Sequence, residues 1–369
     1  MINHPSFVNK HLVRVSAESK KMNSKSFFLK WIREDEDVNT PPSPLYDHHH
    51  ANDPSKLELS LVTISEEEGN DDGNTDHLPC VIERVDLPPV PAVADQQQKP
   101  FPSDFRVSHC NGIIHMFDHY KDWTALLLNP ALAQFKLLQE PPDLPLELDT
   151  FIGCGFGYDS NLGAYKYVKI FGRDFYLDPV ALVYTLGTST STSSNSWRKI
   201  DIIVEGNHLF LNPKGVYCRG AYYWLNAPRT KVTTILSFDF SQDKFHIIPL
   251  PRCLVQQPRS IHSFIVLELW NDSPVLLSST EWSRSLTSFD MWVMVNNCRT
   301  KHLNIGPLAN IMRPVAFWKH DELLLDTRDG RVVSYNLCTK RLRTVPLPGA
   351  VFAGFTSASN FYFKSLVSV

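Results

Sequence analysis

The chain has 369 residues, of which 43% are hydrophobic and 20% charged, and its net charge is −3. This composition excludes a disordered or fibrous protein, and the charge gives no sign of nucleic-acid binding. The 26 prolines and 11% aromatic residues favour short strands separated by turns over a helical bundle.

The seven cysteines are dispersed, with no Cys-x-x-Cys spacing among them. An odd, scattered set indicates free thiols in a reducing compartment rather than a disulfide framework. The N-terminus lacks an apolar signal region, and no apolar run reaches the length of a membrane span. We therefore expect a cytoplasmic protein, with the nucleus as a second compartment, that has neither membrane nor nucleic acid as a partner.

Two zones precede the main domain. Residues 1–33 carry seven Lys/Arg against one acid, and Phe7, Val8, Leu12 and Val15 have spacings that a helix places on one face. Residues 34–100 carry three Lys/Arg against sixteen acids and contain many prolines, with one predicted strand at 57–64. This acidic zone is either a solvated, flexible segment or an acidic surface that attracts a basic partner.

From residue 101 onward the sequence repeats a strand–turn–strand unit. Asn129, Asp239 and Asn336 each end an apolar segment, a large apolar residue follows six positions later, and a proline stands at position +12. The Asn or Asp side chain stabilises a turn, the second strand restarts at the apolar residue, and the proline ends it. Each unit therefore predicts a β-hairpin.

Two weaker copies near Tyr184 and Trp292 complete a series of five anchors spaced by 55, 55, 53 and 44 residues. A period of about fifty residues is typical of kelch-like propeller blades. Further strands are predicted at 151–158, 166–171, 216–225, 261–270 and 322–325, with 361–369 closing the ring. The sequence thus predicts an all-β fold, a kelch-like β-propeller of about six blades, over residues 101–369.

Several segments resemble, in order, the motifs of plant F-box-associated domains: Cys110-Asn111-Gly112-Ile113-Ile114, Leu128-Asn129-Pro130, Gly155-Phe156-Gly157-Tyr158-Asp159, Tyr165-Lys166-Tyr167-Val168-Lys169-Ile170 and Ser196-Trp197-Arg198-Lys199-Ile200. The stretch from Trp292-Val293-Met294 to Gly330-Arg331-Val332 is most similar to the S-locus F-box subgroup. The resemblance covers residue 101 to the end.

The N-terminal run Ile2-Asn3-His4-Pro5-Ser6-Phe7-Val8-Asn9-Lys10-His11-Leu12 resembles the segment that follows the F-box in the same family. On this resemblance, residues 1–33 are a remnant of the last F-box helix plus a first strand, and the helices that dock on a Skp1-type adaptor are absent. We therefore expect binding to that adaptor only when a complete F-box is present.

The resemblance implies a non-catalytic substrate receptor of an SCF-type E3 ubiquitin ligase, with S-ribonuclease of pollen self-incompatibility as the protein substrate. The alternative is a free-standing interaction protein, a decoy or a truncated product that does not join a ligase. A propeller enzyme is the third reading, although no cofactor motif is visible.

No residue pattern predicts a catalytic, cofactor or metal site. His48-His49-His50 cannot converge on one metal ion from an extended segment, and Cys110, His115 and His119 lack a second cysteine nearby. The alternating Gly153, Gly155 and Gly157 are not followed by a helix, so they predict a strand face that another backbone or an aromatic ring approaches.

Partner binding is predicted on loops, because the strands use their apolar residues for packing between blades. Two loops, 172–179 and 280–287, combine charges with aromatic side chains, as interface patches do. The proposed contact residues are Arg173, Asp174, Tyr176, Glu281, Trp282 and Arg284. The alternative is that both are ordinary solvated loops.

Overall fold

The structure is a computed structural model that describes residues 24–33, 57–65, 77–85, 105–118, 125–138, 141, 150–172, 179–186, 197–202, 209–227, 234–256, 264–282, 286–295, 298–347, 349–351 and 359–362. Nearly all of these residues are in strands or the turns between them. This confirms the predicted all-β class.

Twenty strands form five four-stranded antiparallel blades, each made of consecutive strands. They follow β1 (Ser24–Arg33), β2 (Leu57–Ser65) and β3 (Cys80–Arg84). Blade 1 contains β4 (Phe105–Cys110), β5 (Ile113–Asp118), β6 (Ala125–Asn129) and β7 (Gln134–Leu138). Blade 2 contains β8 (Thr150–Asp159), β9 (Ala164–Gly172), β10 (Val180–Thr185) and β11 (Trp197–Asp201).

Blade 3 contains β12 (Leu211–Cys218), β13 (Ala221–Asn226), β14 (Thr234–Asp239) and β15 (Lys244–Pro249). A short helix, α1 (Arg252–Gln256), leads to blade 4, which contains β16 (Ile265–Trp270), β17 (Ser273–Trp282), β18 (Leu286–Val295) and β19 (Cys298–Ala309). Blade 5 contains β20 (Ile311–Phe317), β21 (Glu322–Thr327), β22 (Val332–Asn336) and β23 (Leu342–Val345).

A sixth sheet, called the closing sheet below, combines the two ends of the chain: β1, β2 and β3 with β24 (Gly349–Val351) and β25 (Ser359–Tyr362). Both of the latter strands pair with β1. Leu61 of β2 packs against blade 1, whereas Val62 and Ile64 pack against blade 5, because successive strand residues point to opposite faces. The closing sheet therefore fills the gap between the last blade and the first.

The predicted number of about six blades is wrong, since the structure has five four-stranded blades. The five sequence anchors account for this number, because Asn129, Tyr184, Asp239, Trp292 and Asn336 each lie in the third strand of a different blade. The closing sheet has no anchor because its strands come from both ends of the chain. A repeat search along the sequence does not detect a sheet assembled in this way.

The three predicted hairpins are confirmed as the outer strand pairs of blades 1, 3 and 5. The Oδ1 atom of Asn129 accepts a hydrogen bond from the amide of residue 131 at 3.0 Å. Asp239 and Asn336 each accept two such bonds from amides two and three positions later. These side chains therefore occupy equivalent turn positions in three blades.

Other strand predictions are confirmed or corrected in detail. Strands cover the predicted segments 57–64, 151–158, 166–171 and 322–325. The segment 216–225 is not one strand but the hairpin β12–β13, because Arg219 (φ 47°) and Gly220 (φ 84°) turn the chain between them. β16 begins at Ile265 rather than at 261, and β25 begins at Ser359. The predicted N-terminal helix and the histidine run lie outside the described residues.

The first strand of each blade is innermost and the fourth is outermost. β8, for example, is buried over its last seven residues, whereas β15 is largely exposed. Buried apolar clusters fill the spaces between neighbouring sheets, as Val168 and Ile170 of blade 2 pack with Trp224 and Phe238 of blade 3. The propeller is thus held together by contacts between blades, as in other radial β folds.

Antiparallel order gives the propeller two different faces. The connections between strands one and two, and between strands three and four, lie on one face, which we call the turn face. The connections between strands two and three, and from one blade to the next, lie on the other, which we call the loop face. In the described part of the chain, no helix has the length and hydropathy needed to cross a bilayer.

Candidate protein-binding face

The two loops selected from the sequence arise from equivalent positions in two blades. Residues 173–179 connect β9 to β10 in blade 2, and residues 283–285 connect β17 to β18 in blade 4. The predicted loop 280–287 was therefore too long, because β17 continues to Trp282 and β18 begins at Leu286. Both are connections between strands two and three, so both emerge on the loop face. The structure therefore brings the two predicted loops to one side of the molecule, on blades that are separated by blade 3.

The ends of both loops are fixed by strand pairing. Phe171 pairs with Val180 across the base of the blade 2 loop, and Trp282 pairs with Thr287 across the base of the blade 4 loop. The hydroxyl of Thr287 donates a hydrogen bond of 2.9 Å to the carbonyl of Ile311 in blade 5. The base of the blade 4 loop is therefore hydrogen-bonded to blade 5.

The predicted contact residues themselves are only partly described. Glu281 and Trp282, which were predicted to lie in a loop between strands, are the last two residues of β17. Arg284 lies outside the described residues, as do Arg173, Asp174 and Tyr176. Their contact with a partner stays a prediction.

One exposed aromatic residue of the loop face was missed by the sequence analysis. Phe210 stands immediately before β12, the innermost strand of blade 3, and 59% of its surface is exposed. Its neighbours Leu209 and Leu211 both pack into the cluster between blades 2 and 3. The run of three apolar residues at 209–211 was the sequence signal for an exposed apolar side chain. Successive side chains of an extended segment alternate, so all three cannot point to the same face.

Charged side chains on the inner strands tie blades 3, 4 and 5 together. The Lys214 ammonium of β12 forms an ion pair with Glu268 of β16 and donates to the carbonyl of Val315 in β20 at 3.3 Å. Burial raises the pKa of the Glu268 carboxyl to about 6, although the charge of Lys214 and its hydrogen bond lower it. The ion pair therefore positions the inner strands. Glu268 is fully buried, so its carboxylate is not accessible to a partner.

A second ion pair lies within blade 5. Arg313 Nε lies 3.2 Å from Oδ2 of the buried Asp326. Burial raises the pKa of Asp326 to about 6, and Arg313 opposes that shift through its charge and its hydrogen bond. The pair links β20 to β21 and so fixes the inner hairpin of the blade.

The glycine-rich motif contacts blade 3. A Cβ on Gly155 would lie 2.7 Å from Cζ2 of Trp224, and the Trp224 indole donates a hydrogen bond of 2.9 Å to the carbonyl of Cys154. The prediction that an aromatic ring approaches this strand face is confirmed. Gly155 therefore serves packing between blades 2 and 3, since the close approach of the ring leaves no space for a side chain.

Beside the glycine motif, a buried lysine joins the same two blades on the turn face. Lys166 Nζ lies 2.8 Å from Asp159 and 2.9 Å from Asp243, and it donates to the carbonyl of Phe240 at 2.7 Å. Both Lys166 and Asp159 are buried. This network lies on the face opposite to the candidate site, so it stabilises the fold.

A buried histidine lies on β5 in blade 1. His115 is fully buried and shares a hydrogen bond of 3.1 Å between Nδ1 and the Ser108 hydroxyl. Burial, followed by the charge of Lys169, lowers the pKa of His115 to about 3, so the ring is neutral. Among the described residues, no three His, Cys, Asp or Glu side chains are grouped to hold a metal ion.

Residues 88–345 match the family described as "F-box associated beta propeller domain". The chain belongs to this family. The matched range spans all five four-stranded blades.

Curated relatives carry F-box names. An F-box/kelch-repeat protein of Arabidopsis thaliana is 26% identical over 271 residues, which are 71% of this chain and 68% of the relative. A putative F-box protein of the same plant is 25% identical over 175 residues, or 46% of this chain and 43% of the relative. The chain thus spans about two thirds of the first relative's length and less than half of the second's.

Solved structures show weaker similarity. An oligogalacturonate lyase in complex with manganese superposes with a TM-score of 0.37 at 10% identity, over 63% of this chain and 61% of that one. A similarity at this level carries no argument about fold or chemistry.

Proposed function

We propose that this chain is the substrate-recognition subunit of an SCF-type E3 ubiquitin ligase and binds a protein substrate through its loop face. Membership of the F-box-associated family and the F-box names of the relatives support the ligase role. The choice of face is supported by the position of the blade 2 and blade 4 loops, since each connects the second and third strands of its blade. Function in propellers commonly lies on such loops, while the sheets provide a rigid base.

The residues proposed for recognition are those of the two loops. Trp282 and Tyr176 provide aromatic surface, and Arg173, Arg284, Asp174 and Glu281 provide charges at the rim of the interface. Binding positions the substrate, and the ubiquitin-transfer chemistry is carried out by other subunits. No catalytic residue, cofactor or metal ion of this chain takes part in the proposal.

Within this proposal, a Skp1-type adaptor binds through a complete F-box, and the substrate is S-ribonuclease. Both statements derive from the resemblance to the S-locus F-box subgroup. The proposed location is cytoplasmic, with the nucleus as a second compartment.

Two measurements test the proposal. In the first, the chain and a chimera with an intact F-box ahead of Ile2 are compared for adaptor binding in a pull-down with purified adaptor. We expect the chimera to bind, and residues 1–369 alone are measured beside it for comparison. Failure of the chimera to bind would contradict the ligase role and favour a free-standing interaction protein.

In the second, purified S-ribonuclease is titrated against the chain by calorimetry. Binding that weakens when Trp282 or Arg284 is replaced by alanine supports both the substrate and the face. Absence of binding removes S-ribonuclease as the substrate, while the adaptor measurement still decides the ligase role.

A further inference from the structure

Phe210 is unusual among the exposed apolar side chains of the described residues. Four of the others, Val81, Phe135, Ile247 and Leu342, lie on outermost strands, and Leu162 lies in a turn on the turn face. Leu286 begins β18 at the base of the blade 4 loop and is 42% exposed. Phe210 is on the loop face at the beginning of an innermost strand, so it stands closer to the propeller axis than these outer residues.

The backbone of Phe210 is fixed by two hydrogen bonds. Its amide donates to Oδ1 of Asn226 at 2.8 Å, and its carbonyl accepts from the amide of Ala227 at 2.8 Å. The buried Asn226 also donates from Nδ2 to the hydroxyl of Thr234 at 3.2 Å. One asparagine therefore ties together the beginning of β12, the end of β13 and the beginning of β14.

The packing on either side prevents the ring from turning inward. Leu211 is buried, and its Cδ1 lies 3.1 Å from the position that a Cβ on Gly153 would take. Leu209 is half-buried in the same cluster. Because the side chains of an extended segment alternate, fixing these two leucines toward blade 2 directs Phe210 to solvent. The backbone of Phe210 is held in place before binding, so little backbone freedom is lost when a partner covers the ring.

The surroundings of Phe210 indicate which class of molecule it contacts. Small-molecule sites are concave, whereas Phe210 projects from the surface. Rings that stack on nucleic-acid bases stand beside cations that bind phosphates. The nearest basic residue after Phe210 is Lys214, which is already paired with Glu268. Among the described residues next to its backbone, 209–211, 225–227 and 234–235, none is basic. An exposed aromatic residue on a fixed backbone in such surroundings suits an apolar pocket on another protein.

We infer that Phe210 is an anchor residue of the loop face, inserting into an apolar pocket of the protein partner, and that Asn226 is its positioning residue. Leu286 on blade 4 extends the same apolar contact toward the loop that contains Trp282. This inference rests on the proposed function, because it takes the loop face to be the side that receives a protein. It adds blade 3, between the two predicted loops, to the interface.

Phe135 provides a matched control, since it is also a phenylalanine, is 52% exposed, and lies on the outermost strand of blade 1. The full chain with the photoreactive residue p-benzoylphenylalanine at position 210, or at position 135, is expressed in plant cells and irradiated. The protein cross-linked from position 210 is identified by mass spectrometry and purified. It is then titrated against the wild-type chain, Phe210→Ala, Phe135→Ala and Trp282→Ala.

We expect a cross-linked protein from position 210 that is absent from position 135. Its affinity should fall at least ~10-fold for Phe210→Ala and less than ~2-fold for Phe135→Ala. The inference is overturned by an adduct made of two copies of this chain, by the same adduct from both positions, or by equal affinity of wild type and Phe210→Ala. If Phe210→Ala binds normally while Trp282→Ala binds weakly, the inference fails and the proposed function stands.

Discussion

Gly157 of β8 lies directly against the ring of Phe240 in blade 3: a Cβ added to Gly157 would lie 2.1 Å from Cε2 of that ring. Phe240 is completely buried, and its carbonyl accepts the hydrogen bond from Lys166. The contact between two blades thus requires a glycine at a position where any side chain would displace an aromatic ring and the buried charge beside it.

Replacement of this glycine should destabilise the propeller. We expect Gly157→Ala to lower the free energy of unfolding by ~1–3 kcal/mol or more, because the added methyl group overfills a packed core. Gly153→Ala is the matched control: the nearest atom to its Cβ would be Cδ1 of Leu211, at 3.1 Å, so the loss should be smaller. Urea denaturation of both variants measures the difference. Equal stability of Gly157→Ala and wild type would contradict the contact.

Lys166 provides the second test of the contact between blades 2 and 3. Lys166→Met should cost ~3–5 kcal/mol, because Asp159, which is 1% exposed, would lose its cation. The double variant Lys166→Met/Asp159→Asn should recover part of the loss, since both partners are then neutral. Denaturation midpoints of the two single variants and the double variant give the coupling. Additive effects would show that the two side chains do not act as a pair.

The pH dependence of stability tests the buried ion pair on the inner strands. Burial raises the pKa of Glu268 from 4.5 to about 6, so the folded state holds the proton more tightly than the unfolded state. The contribution of this group to stability is therefore highest below pH 4.5 and decreases as the pH rises through about 6. The stability of wild type relative to Glu268→Gln should fall by about 2 kcal/mol between pH 4 and 7.

Urea denaturation of wild type and Glu268→Gln across this pH range measures the change. The difference between the two proteins isolates Glu268 from all other titrating groups, since those are common to both. A difference that stays constant with pH, or that grows as the pH rises, would show that the Glu268 carboxyl has no raised pKa.

The blade 4 loop is expected to contribute directly to partner binding. Trp282→Ala and Arg284→Ala should each weaken binding by ~1–3 kcal/mol and leave the melting temperature nearly unchanged. Lys244→Ala, an exposed residue of the outer strand of blade 3 next to the turn face, is the control and should bind normally. Calorimetric titration with the purified partner gives the affinities. Normal binding by both loop variants would remove this loop from the interface.

The acidic zone 34–100 should affect the rate of association. Its sixteen acids against three Lys/Arg produce a field that attracts a basic partner over a long range. Raising the salt concentration should therefore slow association much more than it speeds dissociation. Stopped-flow measurements at several ionic strengths test this, and an association rate that is insensitive to salt would contradict it.

The parts of the fold that depend on local sequence could be predicted. Asn129, Asp239 and Asn336 end strands because their side chains bond to amides two or three residues later, and this relationship is visible in the sequence itself. The glycine alternation similarly showed that an aromatic ring would approach β8. All five anchors lie in third strands, but only Asn129, Asp239 and Asn336 make this turn-stabilising bond.

The parts of the fold that depend on pairing between distant segments could not be predicted from the sequence. β1 pairs with strands that begin at residues 349 and 359, and nothing in the sequence of either segment specifies the other. Phe210 is exposed because Leu209 and Leu211 pack toward blade 2, while Asn226, sixteen residues later, fixes its backbone. The run of three apolar residues showed that one side chain would be exposed but not which one. The turn at Arg219-Gly220 was missed although the glycine gave a local signal.

We propose that a protein partner binds the loop face. Hydrogen–deuterium exchange of the full chain, with and without saturating partner, tests it most directly. We predict slower exchange in peptides covering 172–179, 209–212 and 280–287, and unchanged exchange in the turn-face peptides covering 160–163 and 240–243. Protection of the turn-face peptides, with the three loop-face segments unchanged, would contradict binding at the loop face.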